Sequence, residues 1–143
     1  WLLDRKEINR SQATMQGISA WAKRNPDRVE EMLNANPRFV FFKELPGNVS
    51  ADLGPIGALG VPLTSERSIA IDLKAIPLGA PVFLSTTRPL SSQTLQKLVM
   101  AQDTGKAIVG GVRADYYWGS GDSAGELAGR MKQDGRMWLL LPR

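Results

Sequence analysis

The chain has 143 residues, 43% hydrophobic and 22% charged, a mixture rich enough to bury a core and too apolar for a disordered segment. Cysteine and histidine are both absent, which excludes disulfides, a thiol nucleophile, the Ser-His-Asp triad and zinc sites built on Cys or His. The net charge of +4 is spread without a dense basic run or an aromatic-interleaved basic patch, so nucleic acid is not an expected partner.

In chain order, Trp1 follows no Met, basic segment or apolar segment, and the reading expects a processing point or a cut in a longer chain there. Ser11 then reads as the cap of a helix running toward Lys23, with Met15, Ile18, Trp21 and Ala22 on one face. Asn25-Pro26 starts a second helix carrying Val29, Met32 and Leu33, and Asn36-Pro37 ends it. These apolar faces are assigned to packing. Phe39–Phe42 reads as a short strand, followed from Glu44 to Gly60 by a loop rich in Gly and Pro.

Further strands are expected at Val61–Leu63, Ser68–Asp72, Pro81–Leu84, Leu98–Asp103, Ala107–Val109, Arg113–Trp118 and Met137–Leu141. Ser123 with Glu126 is a capping-box pattern for a helix reaching about Met131, and Asp122 beside it is assigned to capping. The expected fold is therefore mainly β, a small barrel preceded by a helical pair. No apolar run approaches the roughly 18 residues that a membrane-spanning helix needs.

Three aspartates fall where a strand ends or turns: Asp72 after Ser68–Ile71, Asp103 after Val99–Gln102 and Asp115 after Gly111–Ala114. Aspartate is disfavoured inside strands, so its repetition beside apolar strand residues needs a reason. Each could form an Asx turn or accept backbone N–H groups at a strand end. Alternatively, the three converge in one cleft, where like charges within about 4–6 Å would keep one carboxyl protonated as a general acid. A carboxyl cluster without His suits glycoside cleavage. The usual glycosidase uses two carboxyls, but one acid/base residue suffices where the substrate supplies its own nucleophile.

A longer pattern surrounds these aspartates. It comprises Met15–Trp21, Asn36–Phe42, Gly57–Leu63, Arg67–Asp72 and Pro77–Phe83, followed by Ala101–Gly105, Arg113–Gly119 and Gly121–Gly129. In this order the segments resemble the membrane-bound lytic murein transglycosylase A family, through its 3D domain, named for three aspartates. The resemblance implies a six-stranded barrel of double-psi type over residues 38–143, with residues 1–37 as a helical segment returning from an absent N-terminal or second domain. It implies cleavage of the β-1,4 bond between N-acetylmuramic acid and N-acetylglucosamine, giving a 1,6-anhydro sugar. Asp115, in the Arg-Ala-Asp motif, would protonate the leaving oxygen and then deprotonate the muramyl 6-hydroxyl, with Asp103 and Asp72 as supporting pair. Neither metal nor cofactor would be needed. Tyr116, Tyr117, Trp118 and Gly105 are the candidate contacts to the sugar.

The implied partners are a peptidoglycan strand and the preceding portion of the same protein, whose second domain would complete the glycan groove. Relatives are usually lipid-anchored, which places the expected location at the periplasmic face of the outer membrane. Two other readings remain open. One is a glycan-binding barrel that does not cut. The other is a dimeric aspartic protease, since Asp103-Thr104-Gly105 is the tripeptide of that active site.

Overall fold

The computed structural model describes residues 1–38, 41 and 53–142, and the chain divides into two compact units, Trp1–Leu45 and Pro46–Arg143. Of the strand expected over Phe39–Phe42 only Phe41 is described, and residues 44–52 of the expected loop lie outside the described residues.

The first unit is helical. Asn9, rather than Ser11, caps a 3₁₀ turn at Arg10–Gln12, and its side chain is answered by that of Gln12 in a reciprocal box. The chain then breaks and restarts, with Thr14 accepting from the Gly17 N–H at 3.1 Å to open α1 (Met15–Arg24). The restart requires glycine: a Cβ on Gly17 would lie 1.9 Å from the Gln12 carbonyl oxygen. One continuous helix from Ser11 is thus replaced by two short pieces. Pro26–Arg28 forms a second 3₁₀ turn leading into α2 (Val29–Asn34), as Pro at a first helical position favours.

Leu2, Ile8 and Trp21 are the buried centre of this unit, with Ile18, Ala22 and Met32 packed around them. Trp1 meets Trp21 edge to face at 5.8 Å, and the Arg5 and Arg28 guanidiniums lie over Trp1 at 4.7 and 5.5 Å. Glu7 accepts from Arg28 at 2.7 Å and from the Trp21 indole at 3.2 Å, and these bonds hold its carboxyl below the usual range.

Among the described residues, the second unit is built on one open five-stranded sheet, in the order β4-β1-β3-β2-β5. The strands are β1 (Ser68–Ile71), β2 (Pro81–Thr87), β3 (Thr94–Thr104), β4 (Ala114–Tyr116) and β5 (Arg136–Leu139). β1 runs parallel to β3, and every other neighbouring pair is antiparallel. Alternation sends Ile69, Ile71, Val82, Leu84, Leu95, Val99 and Ala101 to one buried face. There they meet α3 (Asp122–Arg130) through Ala124 and Leu127.

The expected six-stranded closed barrel is not formed by the described residues, in which β4 and β5 are the edges of an open sheet. Val61–Leu63 is not a strand. Pro62 makes a single bridge with Ile56, while Leu63 N–H donates to Pro55 and Gly57 N–H to Val61, closing a tight loop. Ala107–Val109 is a turn in which Ile108 N–H donates to Gly105 and only the Ile108 side chain is buried. The capping box at Ser123 is absent because the cap lies two residues earlier, at Gly121 with φ 90°. Neither Ser123 nor Asp122 makes a side-chain cap. Asp122 instead places a negative charge in the first helical turn, where the helix dipole favours it.

Candidate active site

The placement of the aspartates follows from strand parity. On β3, Leu95, Val99 and Ala101 point into the core, so an unbroken strand would send Asp103 there too. It does not. Ile69 of β1 pairs with Ala101, yet Ala70 pairs with Asp103, so Gln102 is the extra residue of a β-bulge. The bulge reverses parity and turns Asp103 onto the opposite face. On β4 no bulge is needed: Ala114 and Tyr116 face inward, and Asp115, opposite Ala70, faces outward.

Ala70 is thus flanked by Asp103 on one side and Asp115 on the other. Side chains of paired residues share a face, so the three form a row across β3, β1 and β4. The backbones of the two aspartates are two strand spacings apart, about 9–10 Å. The methyl of Ala70 leaves the space between them open. Both carboxylates, with Ala70, line a cavity of about 240 Å³ whose apolar walls include Leu63 and Ile108.

Asp115 is 55% exposed and accepts from Arg113 Nε at 3.1 Å. So exposed a pair is worth at most about 1 kcal/mol, and it orients the carboxylate without locking it away from a ligand. Asp103 is half-buried, and its Oδ1 accepts from the Ala58 N–H at 3.0 Å.

Asp72 has a different environment. Its two oxygens accept from the backbone N–H groups of Gly110, at 2.8 Å, and Lys74, at 3.0 Å. The Gly110 bond, then the Lys74 bond, lowers its pKa. Asp72 does not line the cavity that Asp103 and Asp115 share. It ties the end of β1 to the loop between β3 and β4 that carries Ile108.

The aromatic candidates divide by parity as well. Tyr117 lines the aspartate cavity and also an adjoining one of about 380 Å³, formed with Leu53, Pro62, Leu63, Thr64 and Ser120. Tyr116 also borders the aspartate cavity, although it is largely buried. Its hydroxyl donates to the Glu66 carbonyl at 2.9 Å, and burial pushes its pKa to about 12. Trp118 lies in the core against Tyr116, 4.9 Å between centroids, with Arg88 over its ring. It lines neither cavity, and nor does Gly105, which packs beside Ile108.

Sequence reading missed Ala70, Leu63, Ile108 and the amide of Ala58. It also missed Gln102, although a signal was present: Val99, Ala101 and Asp103 share parity, and an aspartate on the core side demands a bulge. Among the described residues, no group of three or more Asp or Glu side chains could hold a metal ion.

The family model for the 3D domain matches residues 67–141, which contain all three aspartates, and that for the MltA specific insert domain matches residues 1–43. A curated relative, membrane-bound lytic murein transglycosylase A of Escherichia coli, is 35% identical over 97% of this chain. The chain belongs to the lytic murein transglycosylase A family. It spans 38% of the length of the E. coli transglycosylase. The E. coli protein with bound chitohexaose aligns over 96% of this chain and 41% of its own, at 33% identity and TM-score 0.75. MltA of Neisseria gonorrhoeae is 50% identical, covering 99% of this chain and 35% of its own, with TM-score 0.86. A lytic transglycosylase of Burkholderia pseudomallei, LtgG, is 67% identical over 97% of this chain and 41% of its own, with TM-score 0.67. Within the transglycosylase family frame, the insert-domain match falls in the helical unit and the 3D match in the sheet unit.

Proposed function

We propose that the protein containing this chain is a peptidoglycan lytic transglycosylase that uses Asp115 as its single acid/base. The observation carrying this is the row Asp103, Ala70, Asp115 along one cavity, with Asp115 open to solvent. A protonated Asp115 gives its proton to the glycosidic oxygen as the bond to the muramyl anomeric carbon breaks. The 6-hydroxyl oxygen of the same muramyl residue bonds to that carbon, and its proton returns to Asp115. The carboxyl ends as it began, and the sugar leaves as a 1,6-anhydro ring.

Asp103, across Ala70, supports the positive charge that develops at the anomeric carbon, an arrangement effective where water is excluded. Asp72 contributes by holding the Ile108 loop. Tyr117 offers its ring where the two cavities meet, and the binding of chitohexaose by the E. coli relative supports a glycan there. Tyr116 borders the cavity from its buried side and, with Trp118 and Gly105, fixes β4 and the turn after β3.

The same reading has the open sheet completed into a barrel of double-psi type by the preceding portion of the protein. It also has the protein anchored at the periplasmic face of the outer membrane, as the name of the membrane-bound relatives supports. The test is Asp115→Asn in the full-length protein, with products followed by mass spectrometry. Anhydro-muropeptides should form with the native residue and fall about 10²–10⁴-fold with the amide, since general acid–base catalysis contributes that much. Retention of half the native rate would remove Asp115 from the mechanism. Glycan binding without anhydro products from the native protein would establish a non-cutting module. Inhibition by a statine-type peptide would favour the Asp103-Thr104-Gly105 protease reading.

A further inference from the structure

The β-bulge that turns Asp103 outward is fastened from several directions. Ser68 is wholly buried, and its hydroxyl accepts from the Thr64 N–H at 2.7 Å while donating to the side-chain oxygen of Gln102. The Gln102 carbonyl accepts from the Leu59 N–H at 3.0 Å, and the next amide along, Ala58, holds the Asp103 carboxylate. The bulged residue therefore has both its side chain and its carbonyl bound. A buried hydroxyl is costly unless its hydrogen bonds are made, and Ser68 makes one of each kind.

We propose that Ser68 and Gln102 are positioning residues: their hydrogen bond holds the bulge that sets which face of the sheet Asp103 occupies. This rests on the transglycosylase reading for its effect on turnover, but not for its effect on structure. Without the clasp, Gln102 loses the partner that keeps its side chain against β1, and the competing regular register directs Asp103 toward the apolar side. A carboxylate cannot settle there unpaired, so the segment loosens and the row beside Ala70 is lost.

The acceptor, rather than the amide group as such, is what Ser68 needs. Gln102→Glu keeps an acceptor oxygen at the same reach, and Gln102→Leu removes it at similar volume. The experiment compares these two, with Asp103→Asn alongside, in the full-length protein. Anhydro-muropeptide release gives kcat and KM, and hydrogen exchange gives the protection of the Ala58 and Leu59 amides. Gln102→Leu should lower kcat about 10–100-fold, the scale of a misplacement near 1 Å, with a smaller change in KM. It should also speed exchange at Ala58 and Leu59, while Gln102→Glu retains most of both properties. Native protection and native kcat in Gln102→Leu would overturn the proposal, as would equal losses in the leucine and glutamate variants. Accelerated exchange with unchanged kcat, accompanied by an unaffected Asp103→Asn, would retain the clasp and discard the role of Asp103. Should Gln102→Leu not fold, Ser68→Ala with the same two readouts decides.

Discussion

Two aspartates of this chain work through their surroundings in opposite ways. Asp72 spends both oxygens on backbone N–H groups, so its ionised form is favoured by folding. Its lowered pKa means that the folded state binds a proton less readily than the unfolded chain. The resulting stability is present above the ordinary carboxylate value of 3.8 and is lost as the pH falls through the lowered one. Asp72→Asn should therefore reduce the melting temperature at neutral pH. The gap to the native protein should close in the acid range below 3.8, as seen in melting curves taken across pH. A gap that stays constant with pH would mean that the two hydrogen bonds do not depend on the charge. Asp115, exposed beside Arg113, has no such tie to the backbone among the described residues, and substitution there should act on turnover far more than on melting.

At the level of elements, much of the sheet was legible. The strands expected at Ser68–Asp72, Pro81–Leu84 and Met137–Leu141 are found at Ser68–Ile71, Pro81–Thr87 and Arg136–Leu139, legible from their short apolar and β-branched runs between turn residues. The site was only half legible. That Asp115 stands on β4 facing outward follows from alternation with Tyr116, but Asp103 faces outward through a bulge formed with residues of a distant loop. No local pattern records that loop's approach. It depends on glycine at Gly57, where a Cβ would lie 2.5 Å from the Gln102 carbonyl oxygen and 2.7 Å from Leu63. Gly57→Ala should thus push the turn off the bulge at a cost of about 1–3 kcal/mol, measurable by urea unfolding, and lower turnover by loosening Ala58 from Asp103. Native stability in this variant would show that the turn can retreat without cost. The misread cap of α3 has a local cause: Gly121 at φ 90°, facing open space, opens the helix in place of the side-chain signal that Ser123 supplied.

For the molecule as a whole, a polymeric substrate must be held over several sugars before one bond can be cut, and orientation can supply roughly 7–11 kcal/mol of barrier reduction. The curated E. coli relative is longer, with this chain spanning 38% of it. A protein extended at its N-terminus to the length of that relative should release anhydro-muropeptides faster, per molecule, than residues 1–143 alone. Equal specific activity under matched conditions would mean that the row on this sheet and its two adjoining cavities suffice. The resemblance made the family and its general chemistry legible from sequence. It did not reveal that Ala70 separates the two carboxylates, because the parallel β1–β3 pair that places it joins strands with all of β2 between them.

That pairing order also sets a timetable. β2 and β3 are consecutive antiparallel strands closed by the Arg88 N–H to Gln93 carbonyl bond at 2.8 Å, so they can zip as a local hairpin. The β1–β3 and β1–β4 contacts join distant stretches of chain, and loop-closure entropy delays such contacts. Pulse-labelled exchange during refolding should protect the amides of Val82 and Val99 before those of Ala70 and Tyr117. Simultaneous protection would refute the sequence of events. If the order holds, the cavity assembles after the β2–β3 hairpin, and a copy caught mid-folding has the hairpin but not the row of Asp103, Ala70 and Asp115. On the transglycosylase reading, competence would follow only once β1 has paired with both β3 and β4 around Ala70.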